Sequence, residues 1–182
     1  MNPSAGVIYG WNGQFLYKLG MKSEKDMFSK ATEYALRATI YLAQNSSEEK
    51  KVGIQAIAKA IDSPKSFTAK ILQTLTRDHK IISSAPGPHG GFYITEKAKK
   101  LPARSILKAM DDDGQLEKCI LGLKQCSEVS PCPMHSEYKL IKQRLKEIFE
   151  SKTIQNLADE LKKDSNKRKS FYLLGCCAFT PL

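Results

Sequence analysis

Apolar residues recur at helical spacing in three consecutive segments that follow residue 28. The first segment predicts a helix from Ser29 to Gln44, and the second, GIQAIAKAI, predicts a shorter helix. The third predicts a helix that Ser63 caps and that carries Pro64 in its first turn, where a missing N–H costs nothing. The residues expected to be buried are Leu36, Ile40 and Ala43 with Ala35, Ala38 and Leu42 beside them, then Ile54, Ile57, Ala58 and Ile61, then Phe67, Ile71, Leu72 and Leu75.

The pattern changes after the third helix to two short β-prone tetrads, IISS and FYIT, which flank APGPHGG. Proline and glycine are too frequent in this connection for a helix, so a β-hairpin is expected. Two short helices joined by a tight polar turn form a helix-turn-helix unit, and a hairpin after it adds a wing. The predicted fold class is therefore mainly α with a small β-hairpin, a winged helix-turn-helix.

Helical spacing returns in the second half of the chain. The segment PARSILKAM predicts a helix, and the DDDG that follows is expected to be its solvated end. A heptad repeat then predicts a long helix that packs on a two-fold mate or back onto its own domain. Thr153 is expected to cap one more short helix. The expected core positions are Ala103, Ile106, Leu107 and Met110 in the first of these helices, and the heptad positions are Met134, Tyr138, Ile141, Leu145 and Ile148.

These patterns divide the chain into four segments. Residues 1–26 form an N-terminal extension without clear periodicity, and residues 27–98 form the winged helix-turn-helix. Residues 99–163 hold a cysteine-containing loop and the long helix, and residues 164–182 form a basic and then apolar tail.

Composition narrows the function classes. The 182 residues carry a net charge of +10 and are 41% hydrophobic, which predicts a folded protein with a polyanionic partner, nucleic acid before membrane. No run is long enough for a membrane helix, and the N-terminus lacks the features of a secretory signal. The odd number of cysteines, 5, then favours thiols or metal ligands over disulfides, in the reducing cytoplasm.

The second helix of a helix-turn-helix enters the major groove of DNA by its N-terminal end. Lys65 in its first turn opposes the helix dipole, which indicates an anionic partner, whereas Arg77, His79 and Lys80 at its end simply complement that dipole. The candidate DNA-binding residues are Ser63, Lys65, Ser66, Phe67, Thr68 and Lys70 of the helix, with His89 and Gly90 at the hairpin tip.

Three cysteines and a histidine fall within the segment CILGLKQCSEVSPCPMH. Structural zinc sites favour cysteine pairs two to four residues apart, whereas the gaps between Cys119, Cys126 and Cys132 are wider and suit an iron–sulfur cluster. His135 adds an imidazole three positions after Cys132. A cluster is the first reading, plain thiols the second and zinc the third. A Cys132–His135 enzyme is disfavoured, because no third orienting group is apparent.

The chain resembles the Rrf-two type of bacterial winged-helix transcription regulators. The residues that carry the resemblance are YALRATIYLAQ, GIQAIAKAIDSPKSFTAKILQTL, GPHGGFYIT and the cysteine triplet, in that order. The resemblance implies a homodimer crossed by the long helix and a pseudo-palindromic operator in double-stranded DNA. It also implies a cluster of the 2Fe–2S or 4Fe–4S type on the three cysteines plus a non-cysteine ligand, His135 or alternatively Glu33.

The expected function is a transcription repressor or activator that senses iron–sulfur status, nitric oxide or redox stress. The alternative is a DNA-binding regulator without a cluster that is gated by thiol oxidation, zinc or a partner protein.

Overall fold

The computed structural model describes residues 27–77, 81–123 and 128–165. Within these ranges the helices and strands follow the predicted order: three helices, a hairpin, then further helices with one long member. They are α1 (Lys30–Asn45), α2 (Ile54–Ala60), α3 (Lys65–Arg77), β1 (Ser83–Ala85), β2 (Gly91–Tyr93), α4 (Glu96–Lys99), α5 (Arg104–Ala109), a 3-10 helix (Asp113–Glu117), α6 (His135–Ser151) and α7 (Ile154–Ser165).

Helix α1 buries a face of small residues. Ser29 caps the helix, since its hydroxyl accepts a hydrogen bond from the N–H of Thr32 at 3.2 Å. Leu36 and Ile40, which the sequence places on the apolar face, are half-buried and pack at the rim of the core. Small side chains on the inner face allow neighbouring helices to approach closely. The buried residues of α1 are Thr32, Ala35, Ala38, Thr39, Leu42 and Ala43.

The turn between α2 and α3 sets the start of the third helix. Asp62 adopts the left-handed conformation with φ 52°, which aspartate tolerates better than most residues. The N–H of Thr68 then donates to the carbonyl of Pro64 at 2.9 Å, so Pro64 accepts the first intrahelical bond and occupies the N-cap position. The prediction that Ser63 caps α3 is wrong, because Ser63 lies one residue outside the helix. Its hydroxyl is buried without a hydrogen-bond partner in the described part of the chain.

The hairpin is antiparallel, and the loop after α1 pairs with its second strand at one residue. Ser83 pairs with Tyr93 and Ala85 pairs with Gly91 in the register of β1 and β2. Val52 exchanges two backbone hydrogen bonds with Phe92, each 2.9 Å long. The strands are shorter than the predicted tetrads, because the isoleucines at their ends leave the sheet and enter the core. These are Ile81, Ile82 and Ile94, each 1% exposed.

Helix α7 returns to the start of the described chain and closes the core. Ile154 and Ala158 are fully buried in the same cluster as Leu42, and Gln44 donates from Nε2 to the carbonyl of Ala158 at 2.8 Å. The predicted cap at Thr153 is confirmed, since its hydroxyl accepts from the N–H of Asn156 at 3.1 Å. Among the described helices, none is both long enough and apolar enough to cross a membrane.

Candidate functional site

The outward face of α3 presents a smaller set of side chains than the sequence predicts. Lys65, Ser66 and Lys70 are exposed. Thr68, a candidate DNA-binding residue that would have to be exposed, is fully buried, and its hydroxyl donates to the carbonyl of Pro64 at 3.1 Å. The buried Ser63 hydroxyl is likewise not at the surface. Helical spacing from Ile71 places Thr68 on the core face, so the period alone contained this signal.

Phe67 supports α3 from the side. Its ring meets the ring of Tyr34 edge to face, with 5.7 Å between the ring centroids. The guanidinium of Arg37 lies over the Tyr34 ring, 5.6 Å from its centroid. Such aromatic contacts fix the orientation of two elements relative to each other. Phe67 therefore holds α3 against α1, while any contact of Phe67 with DNA stays a prediction.

The hairpin tip depends on glycine for its shape. A Cβ at Gly90 would lie 2.3 Å from the carbonyl oxygen of Ala85, and one at Gly91 would lie 2.7 Å from that of Val52. Gly91 also has φ 149°, which side chains rarely adopt. His89 is exposed beside them at the tip. A side chain at Gly90 or Gly91 would therefore collide with the protein's own backbone, so the hairpin requires glycine at both positions.

Two of the predicted cysteines lie together. Cys119 is buried, Cys132 is half-buried, and the two side chains are within hydrogen-bonding range of each other. The N–H of His135 donates to the carbonyl of Cys132 at 2.9 Å, so the histidine opens α6 directly beside that cysteine. Cys126 falls outside the described residues. Glu33 lies on α1, where it pairs with Lys30 at 3.1 Å and Arg37 at 4.0 Å.

The surroundings of Cys119 favour the thiolate. A hydrogen bond from the backbone N–H of Leu121 lowers the pKa of Cys119, burial opposes this, and Leu123, Cys132 and the charge of Lys142 lower the pKa further. Thiolate is the form that binds metals. No group of three potential ligands is assembled among the described residues, which lack the third cysteine. The described donors nevertheless fit a thiolate-bound group: two neighbouring sulfurs, with an imidazole at the adjoining helix start.

Helix α6 is fastened to the cysteine segment (residues 119–135) and to the 3-10 helix by polar contacts. Lys139 pairs with Glu128, and Lys146 pairs with Glu117. Lys142 donates to the carbonyl of Glu117 at 3.3 Å. These polar contacts supplement partial burial, because none of the described residues of α6 is fully buried, although Phe149 meets Phe28 edge to face with 5.5 Å between ring centroids.

Arg104 joins three elements. Its guanidinium contacts the Asp113 carboxylate with two nitrogens, at 2.7 and 3.0 Å, and a third nitrogen pairs with Glu150 of α6. The hydrogen bond from Arg104 lowers the pKa of Asp113 against the effect of burial. The same pairings raise the pKa of Arg104. Bidentate geometry of this kind is the stronger class of ion pair.

Asp112 is a residue whose role sequence reasoning missed. The DDDG end of α5 was expected to be solvated, but Asp112 is 7% exposed. Its carboxylate accepts from the N–H of Ser29 at 2.7 Å and from the Thr32 hydroxyl at 2.6 Å. The expectation is wrong because these partners lie 83 and 80 residues earlier, beyond the reach of any local pattern. Asp112 thereby ties the N-terminus of α1 to the chain that leads into the cysteine segment.

Apolar side chains are exposed along one side of α6. Of the predicted heptad positions, Tyr138 and Leu145 are half-buried against the rest of the chain. The other three form an exposed stripe: Met134, Ile141 and Ile148. Ile120, Leu121 and Leu123 of the cysteine segment are also exposed. Large apolar groups that cluster at a surface mark an interaction site.

The chain is similar to known proteins both in sequence and in structure. The profile of a protein family described as "Rrf2: Iron-dependent Transcriptional regulator" matches residues 28–160. An Aquifex aeolicus (strain VF5) protein named as an HTH-type transcriptional regulator is 32% identical over 133 residues, 72% of this chain and 90% of that protein.

Two solved structures share the fold. The structure of CymR, the global cysteine regulator of B. subtilis, has a TM-score of 0.59 at 19% identity and covers 72% of this chain and 95% of its own. The structure of T. potens IscR has a TM-score of 0.56 at 16% identity, covering 80% of this chain and 92% of its own.

Proposed function

We propose how this chain, which belongs to the Rrf2 family of winged helix-turn-helix transcriptional regulators, recognises DNA and its signal. It binds a pseudo-palindromic operator as a homodimer, and it senses its signal through an iron–sulfur cluster. The observation that carries the sensing proposal is that Cys119 and Cys132 lie together in a segment that the Glu128–Lys139 ion pair fastens to α6. Members of the family are transcriptional regulators, so the Cys132–His135 enzyme is excluded.

Operator binding would use α3 and the hairpin together. Lys65, Ser66 and Lys70 are exposed on α3, and the first turn of that helix holds no acidic residue. Placed in the major groove, the lysines would meet phosphates and the serine would reach a base edge. His89 and Gly90 at the hairpin tip would contact the adjoining backbone.

The second copy would cover the exposed stripe of Met134, Ile141 and Ile148. Their spacing of seven residues is that of two helices packing side by side. A two-fold dimer also matches the two half-sites of a pseudo-palindrome. Dimerisation would thus remove from water the apolar side of a helix that its own subunit leaves exposed.

Cys119, Cys126 and Cys132 would hold the cluster, with His135 as the fourth ligand and Glu33 as the alternative. When bound, such a group supplies iron that reacts with nitric oxide and with oxidants. The chain's own residues prepare the site: the N–H groups of Leu121 and Leu123 favour the Cys119 thiolate, and the bond from the His135 N–H to the Cys132 carbonyl holds the backbone of the histidine next to that of the cysteine.

The contacts of the cysteine segment give a route from the sulfurs to the DNA-binding surface. Glu128 fastens the segment to α6, Glu117 fastens the 3-10 helix before it to the same helix, and Asp112 fastens the preceding chain to α1. A change in the loop would therefore shift the dimer helix and the helix-turn-helix between two arrangements of different DNA affinity.

The proposal is tested by an anaerobic absorption spectrum with iron and sulfide analysis. Wild type is compared with Cys126→Ala, and Cys177→Ala, in the tail, serves as the matched control. We expect visible charge-transfer bands in wild type and the control, and their loss in Cys126→Ala. A colourless, iron-free wild type after anaerobic reconstitution would reject the cluster and leave the transcriptional regulator in place.

The contact between Cys119 and Cys132 also supports a thiol-gated regulator without a cluster. Hydrogen peroxide would join the two sulfurs, each thiol losing one proton and one electron while the peroxide is reduced to water. Mass spectrometry of peroxide-treated, iron-free protein tests this. A Cys119–Cys132 disulfide that alters DNA affinity supports it, and two thiols that remain alkylatable reject it.

A further inference from the structure

A groove runs between the outer side of α3 and the hairpin. Its volume is about 270 Å³. The α3 residues that line the groove lie along one side of the helix, next to the face that carries Lys70. Ser84 of β1 and Phe92 of β2 line the opposite side. The lining residues are Ala69, Gln73, Thr76, Arg77, Ser84 and Phe92.

The floor of this groove is apolar and its rim is polar. Phe92 packs against the core from the hairpin side, and Ala69 is small enough to leave the space open. Gln73, Arg77 and Ser84 are exposed, and within the described ranges their side chains make no hydrogen bond or ion pair. Thr76 differs, because its hydroxyl already donates to the carbonyl of Leu72 at 2.7 Å. Three donors, one of them a permanent cation, thus surround an apolar surface without protein partners.

The position of the groove selects its occupant. In a winged helix-turn-helix on DNA, the recognition helix lies in the major groove and the wing reaches the neighbouring stretch of backbone or minor groove. A sugar–phosphate strand separates those two grooves, so it must pass across whatever lies between helix and wing. A deoxyribose is apolar on its faces, and a phosphate carries the negative charge that a guanidinium fork matches.

We propose that this groove holds one sugar–phosphate unit of the bound duplex. Arg77 pairs with the phosphate, Gln73 and Ser84 donate hydrogen bonds to it, and Phe92 with Ala69 contacts the deoxyribose. The inference rests on the proposed DNA binding. It adds a contact with the DNA backbone that sets how deeply α3 enters the major groove. Because these contacts are to backbone, they are independent of base sequence.

Arg77 also has a structural role that must be separated from this one. A cation in the last turn of a helix complements the helix dipole and so stabilises the fold. That role would appear in thermal stability. A phosphate contact appears in the salt dependence of DNA binding, since each neutralised phosphate releases counterions.

The test measures affinity for a mixed-sequence duplex between about 50 and 200 mM salt, by fluorescence anisotropy on the full chain. Arg77→Gln is compared with Arg77→Lys, which keeps the charge, and with Lys108→Gln, an exposed cation on α5 that gives the same charge change. We expect Arg77→Gln to reduce the slope of log K against log salt by about 0.9 per bound subunit, while Arg77→Lys and Lys108→Gln retain the slope. Equal slopes for Arg77→Gln and Lys108→Gln would overturn the proposal.

Ala69→Leu fills the groove without changing any charge. We expect a several-fold loss of affinity with an unchanged melting temperature, because the sugar can no longer seat. Wild-type affinity in this variant would overturn the proposal. A wild-type chain that binds no duplex under any of these conditions would instead reject the proposed DNA binding, so the two failures are distinguishable.

Discussion

The carboxylate of Asp112 sits at the N-terminus of α1, where it accepts from the N–H of Ser29 and the hydroxyl of Thr32. Burial opposes its ionisation, but the hydrogen bonds from Thr32, Ser29 and Gln115 outweigh burial and hold the pKa of Asp112 below its ordinary value. A depressed folded-state pKa adds stability that is fully present above the unfolded pKa of about 3.9. That stability is lost as the pH falls through the lower, folded-state value.

Asp112→Asn should therefore destabilise the protein at neutral pH by about 1–3 kcal/mol, because two donors lose a charged acceptor. The loss should shrink as the pH falls below about 3.9, where the carboxylate of the unfolded chain takes up a proton, and should vanish once the pH passes the lower pKa of the folded state. Urea unfolding at several pH values measures both effects. The adjacent Asp111→Asn, at an exposed position, is the matched control and should stay within about 0.5 kcal/mol of wild type. Equal losses in the two variants would contradict the capping role.

Gly91→Ala should disturb the hairpin. The new Cβ would lie 2.7 Å from the Val52 carbonyl oxygen at a φ of 149°, a strain of about 1–3 kcal/mol. The melting temperature and the affinity for a DNA duplex should both fall. Gly114→Ala, where a Cβ meets nothing within 4 Å, is the control and should leave both unchanged. A Gly91→Ala protein with wild-type stability would show that the backbone at Val52 shifts to accommodate the new methyl group without loss of stability.

At the scale of elements, sequence reasoning succeeded where the determinant is local. Helical spacing around Ile57 and Ile71 and the Pro-Gly composition of the hairpin connection were enough to predict the helix-turn-helix and its wing. The pairing of Val52 with Phe92 and the reach of Asp112 to α1 were not predictable, because tertiary contacts set them. In the candidate site, spacing predicted the neighbouring positions of Cys132 and His135 but could not show that Cys119 would meet Cys132.

The interface that we propose between two copies lies on α6, where a single substitution can test it. Ile141→Arg places a charge in the middle of the exposed stripe, and we expect sedimentation to show a monomer with weakened operator binding. Gln143→Arg adds the same charge on another side of the helix, where the side chain is exposed, and should leave the dimer intact. An Ile141→Arg protein that remains dimeric would place the interface elsewhere.

For the whole molecule, α6 is attached by ion pairs together with half-buried side chains, since none of its described residues is fully buried. Arg104→Gln removes the residue that joins Asp113 to Glu150, so hydrogen exchange should quicken in α6 and the 3-10 helix while the core amides of α1 keep their protection. The difference from wild type should narrow at high salt. Lys108→Gln controls for the charge change. Faster exchange throughout the chain would indicate that Arg104 supports the entire fold.

Helix α7 lies against α1, and its Ile154 and Ala158 complete the core that the helix-turn-helix shares. During translation the chain emerges in order, so α1 waits for this partner until nearly all of the described residues have been synthesised. We therefore expect nascent chains that stop before α7 to remain unfolded on the ribosome. The proposed surfaces for DNA and for a second copy would then mature together, and an unfinished polypeptide would not occupy the proposed operator.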